Sequence, residues 1–447
     1  MKPTLTYIAA LLLVPLAALC APVGSKPTSD AAWPLPHMRE LPTDYLERLR
    51  HALQLEADKF DDARFEKADV TKVRVGIAAL ALRQHVEEVN AVFEADGFAY
   101  APHEDFGFSL FSLPYVRVHG LFNERTGVMK GRLSAKAQAN LEKTLWSCAK
   151  ANSKLAEAQR DVWSQEGSEN HHMTSKVSDF LVAQFLKDIP AYAQLKYDDG
   201  STLQQQYEAR LAYWSKWLDE RARRGLFEED GSSYQNYVIE ALFNLHDFSE
   251  DPILRRKVAL FLDLVFANFA EETLGTQRGG PKTRTKEEHF RSAAYDLLFD
   301  APGAEFTLSD YLLSTSSYYP SPAIVSLAKE FRQRGTYSFV KRAPDAVVLG
   351  SREHPAVPRS KWSTLDKTNT MTRVGFATPH YIAGSHSLDP SAKVEDSREQ
   401  RWQGIVFAND PMARIGMDGK SGVTKGGYIS NPFNTIQDRN LMVTLKW

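Results

Sequence analysis

The order of apolar and polar residues divides the chain in two. From residue 43 to about 335, apolar positions recur at helical spacing. They predict helices over 43–60, 71–95, 134–151, 168–187, 202–224, 232–247, 252–274, 285–299, 308–317 and 321–334. Ser134 and Thr202 suit N-caps, Pro252 suits a first turn, and Gly225, Gly275 and Gly335 suit helix stops. Residues 99–132 interrupt the series. They carry Gly, Pro and aromatics without a helical period and read as a long loop, functional or ordered by packing. Near Tyr337 the pattern changes. Ala346-Val-Val-Leu, Arg373-Val-Gly-Phe-Ala, His380-Tyr-Ile-Ala-Gly-Ser, Gly404-Ile-Val-Phe-Ala-Asn and Leu441-Met-Val-Thr-Leu are short apolar runs broken by turn residues, which is strand spacing. The expectation is a mainly α protein. Residues 41–335 would form a bundle or closed ring of antiparallel helix pairs, and 336–447 a β-rich, sandwich-like portion. No short repeat stands out, which argues against a consensus solenoid.

The first residues change where this protein is expected to work. Lys2, the apolar run from Leu5 to Leu19 and Cys20-Ala-Pro read as a secretory signal peptide over 1–21. A leader over 22–40 follows, with Pro22, Pro27, Pro34 and Pro36. The expected location is secreted or periplasmic, with no stable membrane insertion after cleavage. Only Cys148 would then remain, so packing and not a disulfide framework must hold the protein together. With 447 residues, 43% of them hydrophobic, the chain is long enough for two domains and a large core. Its net charge of −2 gives no global reason to expect nucleic acid or an acidic membrane as partner. Eight Trp and seventeen Tyr fit a carbohydrate groove, and equally a large core.

The densest chemistry lies in Trp163-Ser-Gln-Glu-Gly-Ser-Glu-Asn-His-His-Met173. One carboxamide, two imidazoles and two carboxylates fall between Glu166 and Met173. Ser168 suits an N-cap, and Glu169 lies in the first turn, where the helix dipole favours an anion. Asn170, Met173, Val177 and Leu181 share a stripe, with Phe180 and Gln184 beside it. Asn170 and His171 would thus stand at the start of a helix whose far end is core; a capped surface helix with a solvated histidine pair fits the same residues. Three other places concentrate useful groups. Tyr234 and Tyr237 lie three apart on one predicted helix face, after the loop that begins at Phe227. Gly275-Thr-Gln-Arg-Gly-Gly-Pro-Lys-Thr-Arg284 carries three cations between helices, and Thr378-Pro-His-Tyr-Ile-Ala-Gly-Ser385 lies in the β portion. Each has a plain structural role as the alternative. The tyrosines can pack their helix, Arg284 can cap a helix start, His246 can be core, and His380 can lie on a strand surface or face the cleft.

Adjacent histidines point about 100° apart on a helix, so His171 and His172 do not make a metal pair, and no His-Glu-x-x-His or Cys-rich set occurs. A Gly-x-Ser-x-Gly elbow and a phosphate loop are also lacking, and no metal or cofactor is expected. What remains is an amide, an imidazole, a phenol and a guanidinium on separate helices. That set suits β-elimination next to a carboxylate. Donors to the carboxylate stabilise the enolate-like intermediate, His or Tyr removes the α-proton, and Tyr protonates the leaving oxygen.

Ser168-Glu-Asn-His-His-Met173, Gly231-Ser-Ser-Tyr234 with Asn244-Leu-His-Asp-Phe248, Leu262-Asp263 with Gly275 and Arg284, Ser317-Tyr-Tyr-Pro-Ser-Pro322 and Thr378–Ser385 occur in this order. Together they resemble the helical-toroid polysaccharide lyases and their secreted relatives, over about 160–335 and a patch of the β portion. The resemblance implies an (α/α) toroid followed by a β-sandwich, acting on an acidic, uronate-containing polysaccharide such as alginate, glucuronan or a heparin-like chain. It implies Asn170 as carboxylate neutraliser, His171 as base with His172 as the alternative, Tyr237 or Tyr234 as acid, and Arg284 as carboxylate-binding arginine. Glu169, His172, Tyr234 and His380 would contact substrate. Two rivals remain. One is a glycoside hydrolase on the same architecture, pairing Glu169 or Glu166 with Glu228 or Asp230. The other is a non-catalytic carbohydrate-binding protein.

Overall fold

Long amphipathic stripes need partners, and here they find them mostly in one another. A computed structural model describes residues 33–60, 70–95, 107–226, 233–275, 277–283, 293–300, 310–345, 362–387, 401–408, 413–416 and 433–446. The expected signal peptide and most of the leader lie outside these residues, as does the run at 346–349. The protein is mainly helical, with a C-terminal antiparallel sheet region. Its helices are α1 (Thr43–Ala57), α2 (Val70–Leu82), α3 (Val86–Glu94), α4 (Gly107–Phe122), α5 (Ala135–Asn152), α6 (Leu155–Ala158) and α7 (Glu169–Leu186). They continue with α8 (Pro190–Ala193), α9 (Leu203–Arg224), α10 (Ser233–Phe248), α11 (Pro252–Glu272), α12 (Ala293–Phe299), α13 (Asp310–Ser314) and α14 (Pro322–Lys329). Among the described residues no helix is long and apolar enough to cross a membrane.

The sequence signals at helix ends are built as expected in several places. Ser134 Oγ accepts from Ala137 N–H, Thr202 and Gln205 form a capping box, and Pro252 opens α11 behind the Asp251 cap. Two expectations fail. The helix read over 71–95 is two, broken at Arg83 and His85, both of which take left-handed φ values. The break is braced from α1: the Gln54 and Gln84 amides bond each other at 3.0 and 3.2 Å, and His85 stacks on Phe60. The loop expected over 99–132 contains α4, sixteen residues long. It lies against α2, α5, α7 and α10, so it is apolar nearly all round and shows no amphipathic period. Gly120 is needed there, because a Cβ would come within 2.7 Å of the Phe248 ring.

Three of the long helices run in the same direction. Ser112 of α4 donates to Ser178 Oγ of α7 at 2.7 Å, and further along, His119 stacks on Phe185. Gln184 near the end of α7 bonds the carbonyl of Phe248 at the end of α10 at 2.7 Å. The returning helices close pairs. Arg221 at the end of α9 meets Glu169 at the start of α7, and Arg278, just past α11, reaches Gln235 at the start of α10. Farther on, α13 lies against α10, α2 and α1.

At the C-terminal ends of α4 and α10, a buried polar cluster joins these elements. Asp247 Oδ2 takes Arg117 Nη2 at 2.7 Å, while its Oδ1 accepts from Ser317 N–H, Ser316 Oγ, Ser317 Oγ and His246 Nδ1. Arg117 also donates to Asn244 and Thr315. Burial works against the Asp247 charge, but Arg117 and His246 hold its carboxyl far below the usual carboxylate range. His246 is thus part of this cluster, with Tyr318 edge-on to its ring.

The strands are β1 (Ser164–Glu166), β2 (Thr273–Leu274), β3 (Gln277–Arg278), β4 (Lys282–Thr283), β5 (Tyr337–Asp345), β6 (Trp362–Thr364) and β7 (Asp366–Ala377). After them come β8 (Tyr381–Ser387), β9 (Arg401–Trp402), β10 (Gly404–Phe407), β11 (Arg414–Gly416), β12 (Phe433–Asp438) and β13 (Leu441–Lys446). Five form one antiparallel sheet in the order β11-β10-β8-β7-β5, and the β12–β13 hairpin lies against β8. The two portions are stitched together by mixed pairs, β1 with β6 and β4 with β9. A buried ion cluster reinforces that seam: Glu272 bonds Arg278 at 2.8 Å and Lys341 of β5 at 2.9 Å.

Arg117→Met should lower stability by about 3–5 kcal/mol in urea unfolding near neutral pH, because it leaves the Asp247 charge buried without its partner. The folded carboxyl of Asp247 titrates below its unfolded value. Its stabilisation is therefore full above the ordinary carboxylate range and is lost as pH falls below it. The variant should show a shallower acid dependence than the wild type.

Candidate functional site

The start of α7 is fixed from the β-rich portion. Ser164↔Thr364 and Glu166↔Trp362 pair β1 with β6, and Leu365 N–H bonds the Trp163 carbonyl at 2.8 Å. Gly167, at φ +69°, then turns the chain into the helix. Ser168 does not cap: its hydroxyl donates to Asn170 Oδ1. Asn170 is fully buried, and its Nδ2 has no acceptor among the described residues. A buried donor left unmade costs about 1–3 kcal/mol, and a ligand oxygen arriving there would remove that cost.

Most of the neighbouring polar residues have structural partners, and three residues expected at the substrate are placed as follows. His172, expected at the substrate, is buried with both ring nitrogens engaged. Its Nδ1 accepts from Glu166 N–H at 3.1 Å, and Nε2 meets Tyr213 OH at 2.8 Å. Burial, and then Lys176, Arg221 and Arg210, push its pKa well below the ordinary histidine value, so it stays neutral. Glu169, also expected at the substrate, is buried and paired with Arg221 at 3.3 Å. Glu166 bonds Lys176 at 2.7 Å. Burial opposes the Lys176 charge, but Asp179, Glu166 and Glu157 outweigh it and hold the pKa above its ordinary value. The ring of Trp362 covers this group, edge-on to His172, with the Arg160 guanidinium 4.3 Å from its centre. His380, the third, is exposed in the turn between β7 and β8 instead of on a strand.

Helical geometry relates the positions of others. Ser178 of α7 and Asn244 of α10 both touch α4 at adjacent residues, Ser112 and Leu113. His171 precedes Ser178 by seven residues, and Tyr237 precedes Asn244 by seven. Seven residues are two turns, so each stands about 10 Å above that level, on the helix face turned to α4. His171 and Tyr237 are half-buried there. By the Gln184–Phe248 tie, where α7 and α10 meet, Asn170 falls level with Tyr234, two residues from the register that the α4 contacts give. Glu240, one turn below Tyr237 in the middle of α10, feels the charge of Arg74 of α2. Sequence reading missed both, although a lone acid inside Val238-Ile-Glu-Ala-Leu-Phe243 was a visible signal.

The remaining candidates do not assemble there within the described residues. Arg284, Glu228 and Asp230 lie outside them. Two of the three cations expected in the 275–284 loop are buried in the seam: Arg278 pairs with Glu272, and Lys282 donates to the Gly279 and Gly280 carbonyls. Cys148 is buried on α5, its thiol pushed up to about 12 by burial. Among the described residues no three His, Cys, Asp or Glu side chains converge as a metal would require.

Compared with protein-family models, with curated proteins and with solved structures, the chain gives no match.

The two histidines should respond differently to truncation. His172→Ala leaves Glu166 N–H and Tyr213 OH without their partner and should cost about 1–3 kcal/mol, whereas His171→Ala should change the melting temperature little. The His172 contribution is full above the unfolded histidine pKa and is lost as pH falls through it toward the lower folded value. Wild-type stability should therefore drop below about pH 6.5, and His172→Ala should flatten that drop.

Proposed function

We propose that the protein is an exported polysaccharide lyase that cleaves a uronate-containing chain by β-elimination where α7 and α10 begin. The single observation that carries this reading is Asn170: a fully buried amide with an unmatched donor, next to a half-buried histidine at a helix start. The parallel α4, α7 and α10, their antiparallel partners and the return of α13 onto α2 support reading the helical part as an (α/α) toroid. The sheet and its hairpin would then be the companion β-sandwich.

In the proposed reaction Asn170 Nδ2 donates to the uronate carboxylate. As His171 removes the C5 proton, charge moves onto that carboxylate, and the amide and the positive end of α7 stabilise the enolate-like intermediate. Tyr237 donates its proton to the glycosidic oxygen as the C4–O bond breaks and the C4–C5 double bond forms. His171 is the base because the ring of His172 is already bonded at both nitrogens. Tyr237 is assigned as the acid because it lies on the face of α10 turned to α4, as His171 does on α7; Tyr234, three residues nearer the helix start, is assigned as a substrate contact. Arg284 remains a proposed second carboxylate donor. A hydrolase would need a free carboxyl pair about 5–9 Å apart. Glu169 and Glu166 are instead held by Arg221 and Lys176, which favours elimination.

Incubation with a panel of uronate polysaccharides should yield products that absorb in the ultraviolet through a double bond conjugated to the carboxylate. His171→Ala should lower that rate by about 10²–10⁴-fold, and Asn170→Ala by about 10²–10³-fold, with the fold retained. New reducing ends without the absorbance would indicate a hydrolase. Binding without either would indicate a carbohydrate-binding protein, and full activity in His171→Ala would overturn the mechanism.

A further inference from the structure

Glu240 has no evident structural duty. It is 3% exposed in the middle of α10, and among the described residues no hydrogen bond or ion pair reaches it. Its spacing from Tyr237 and Asn244 puts it on the face of α10 turned to α4, one turn below the tyrosine and one above the Asn244–Leu113 bond. It therefore lies one turn deeper than Tyr237, on the face of α10 that Tyr237 shares. A buried carboxyl without donors is strongly biased to its neutral form, and a neutral carboxylic acid is itself a hydrogen-bond donor.

Resting on the lyase reading, we propose that Glu240 is a further substrate-binding residue, a neutral acid at the floor of the proposed site that donates a hydrogen bond to a uronate carboxylate. It would lie about 6–9 Å deeper than Asn170, four residues farther along by the contacts to α4 and six by the Gln184–Phe248 tie. That depth suits the carboxylate of a sugar other than the one Asn170 neutralises, so the preferred substrate would carry uronates on more than one sugar of the bound stretch.

The surroundings set the sign of the pH dependence. Burial raises the Glu240 carboxyl to about 7, partly offset by the Arg74 cation of α2. On the other helices around it, Arg117 of α4 is held by Asp247, Asp263 of α11 is bonded to Tyr318, and His171 of α7 stands at the rim. The described side chains of α13, from Leu312 to Ser314, carry no charge. A bound carboxylate would disfavour ionisation of Glu240 further. As pH rises through about 7 in the free protein, the donor becomes a like charge, and affinity for uronates should fall.

The test uses binding, so that it does not depend on turnover. Calorimetric titration with a mannuronate tetrasaccharide and its carboxyl-reduced counterpart should give a Kd that rises about tenfold per pH unit above 7 for the acidic sugar only. In Glu240→Gln, which keeps a donor but cannot ionise, the acidic sugar should bind with no such slope. His171→Ala should retain it. Infrared difference spectra of the wild type near pH 7 should gain a protonated-carboxyl band on binding, and Glu240→Gln should lack that band; this readout stands even if the variant folds poorly. An unchanged slope in Glu240→Gln, or no gain of the band in the wild type, overturns the proposal while leaving the lyase reading intact. Failure of uronate polysaccharides and oligosaccharides of every type to bind overturns both.

Discussion

The buried pair between Arg117 and Asp247 sets the polarity of the helical part. It ties α4 to the end of α10 and, through Thr315, Ser316 and Ser317, to the segment after α13. Each polar atom in the cluster needs the others, because an unpaired charge at that depth would be costly. With these C-terminal ends tied together, the proposed site lies at the opposite ends of α4, α7 and α10. The helix dipoles add to the contrast, since their positive ends gather on the side where an anionic ligand is proposed.

That opposite end is divided between structure and chemistry residue by residue. Around the first turns of α7, Glu169, His172 and Lys176 are all consumed by partners on α9, β1 and the segment before it. The pairing of β1 with β6 and the Trp362 ring fix this group from the β-rich portion. Asn170 is held by a scaffold that leaves its Nδ2 without an acceptor among the described residues. A rigid support beneath an unsatisfied amide is what a preorganised carboxylate site requires.

Much of the helical layout was legible because amphipathic period and caps are local signals. α7, α9, α10 and α11 begin and end within a few residues of their expected limits. α4 was not legible for a physical reason: a helix enclosed on nearly every side has no polar face to reveal its period. The break at Arg83 and His85 also escaped, since the Gln54–Gln84 contact that braces it joins residues thirty apart. At the site, sequence could place Asn170 and His171 at a helix start. It could not show that the ring of His172 is engaged, because its partner Tyr213 lies forty-one residues away. Nor could it foresee that Arg278 and Lys282 are spent in the seam with the sheet.

The most direct measurement is a crystal structure of the His171→Ala protein with a bound uronate oligosaccharide. The account predicts the sugar chain at the N-terminal ends of α7 and α10, with one carboxylate oxygen within hydrogen-bond distance of Asn170 Nδ2 and a glycosidic oxygen facing Tyr237. A chain bound instead on the sheet around His380, or at the Asp247 end, would contradict it.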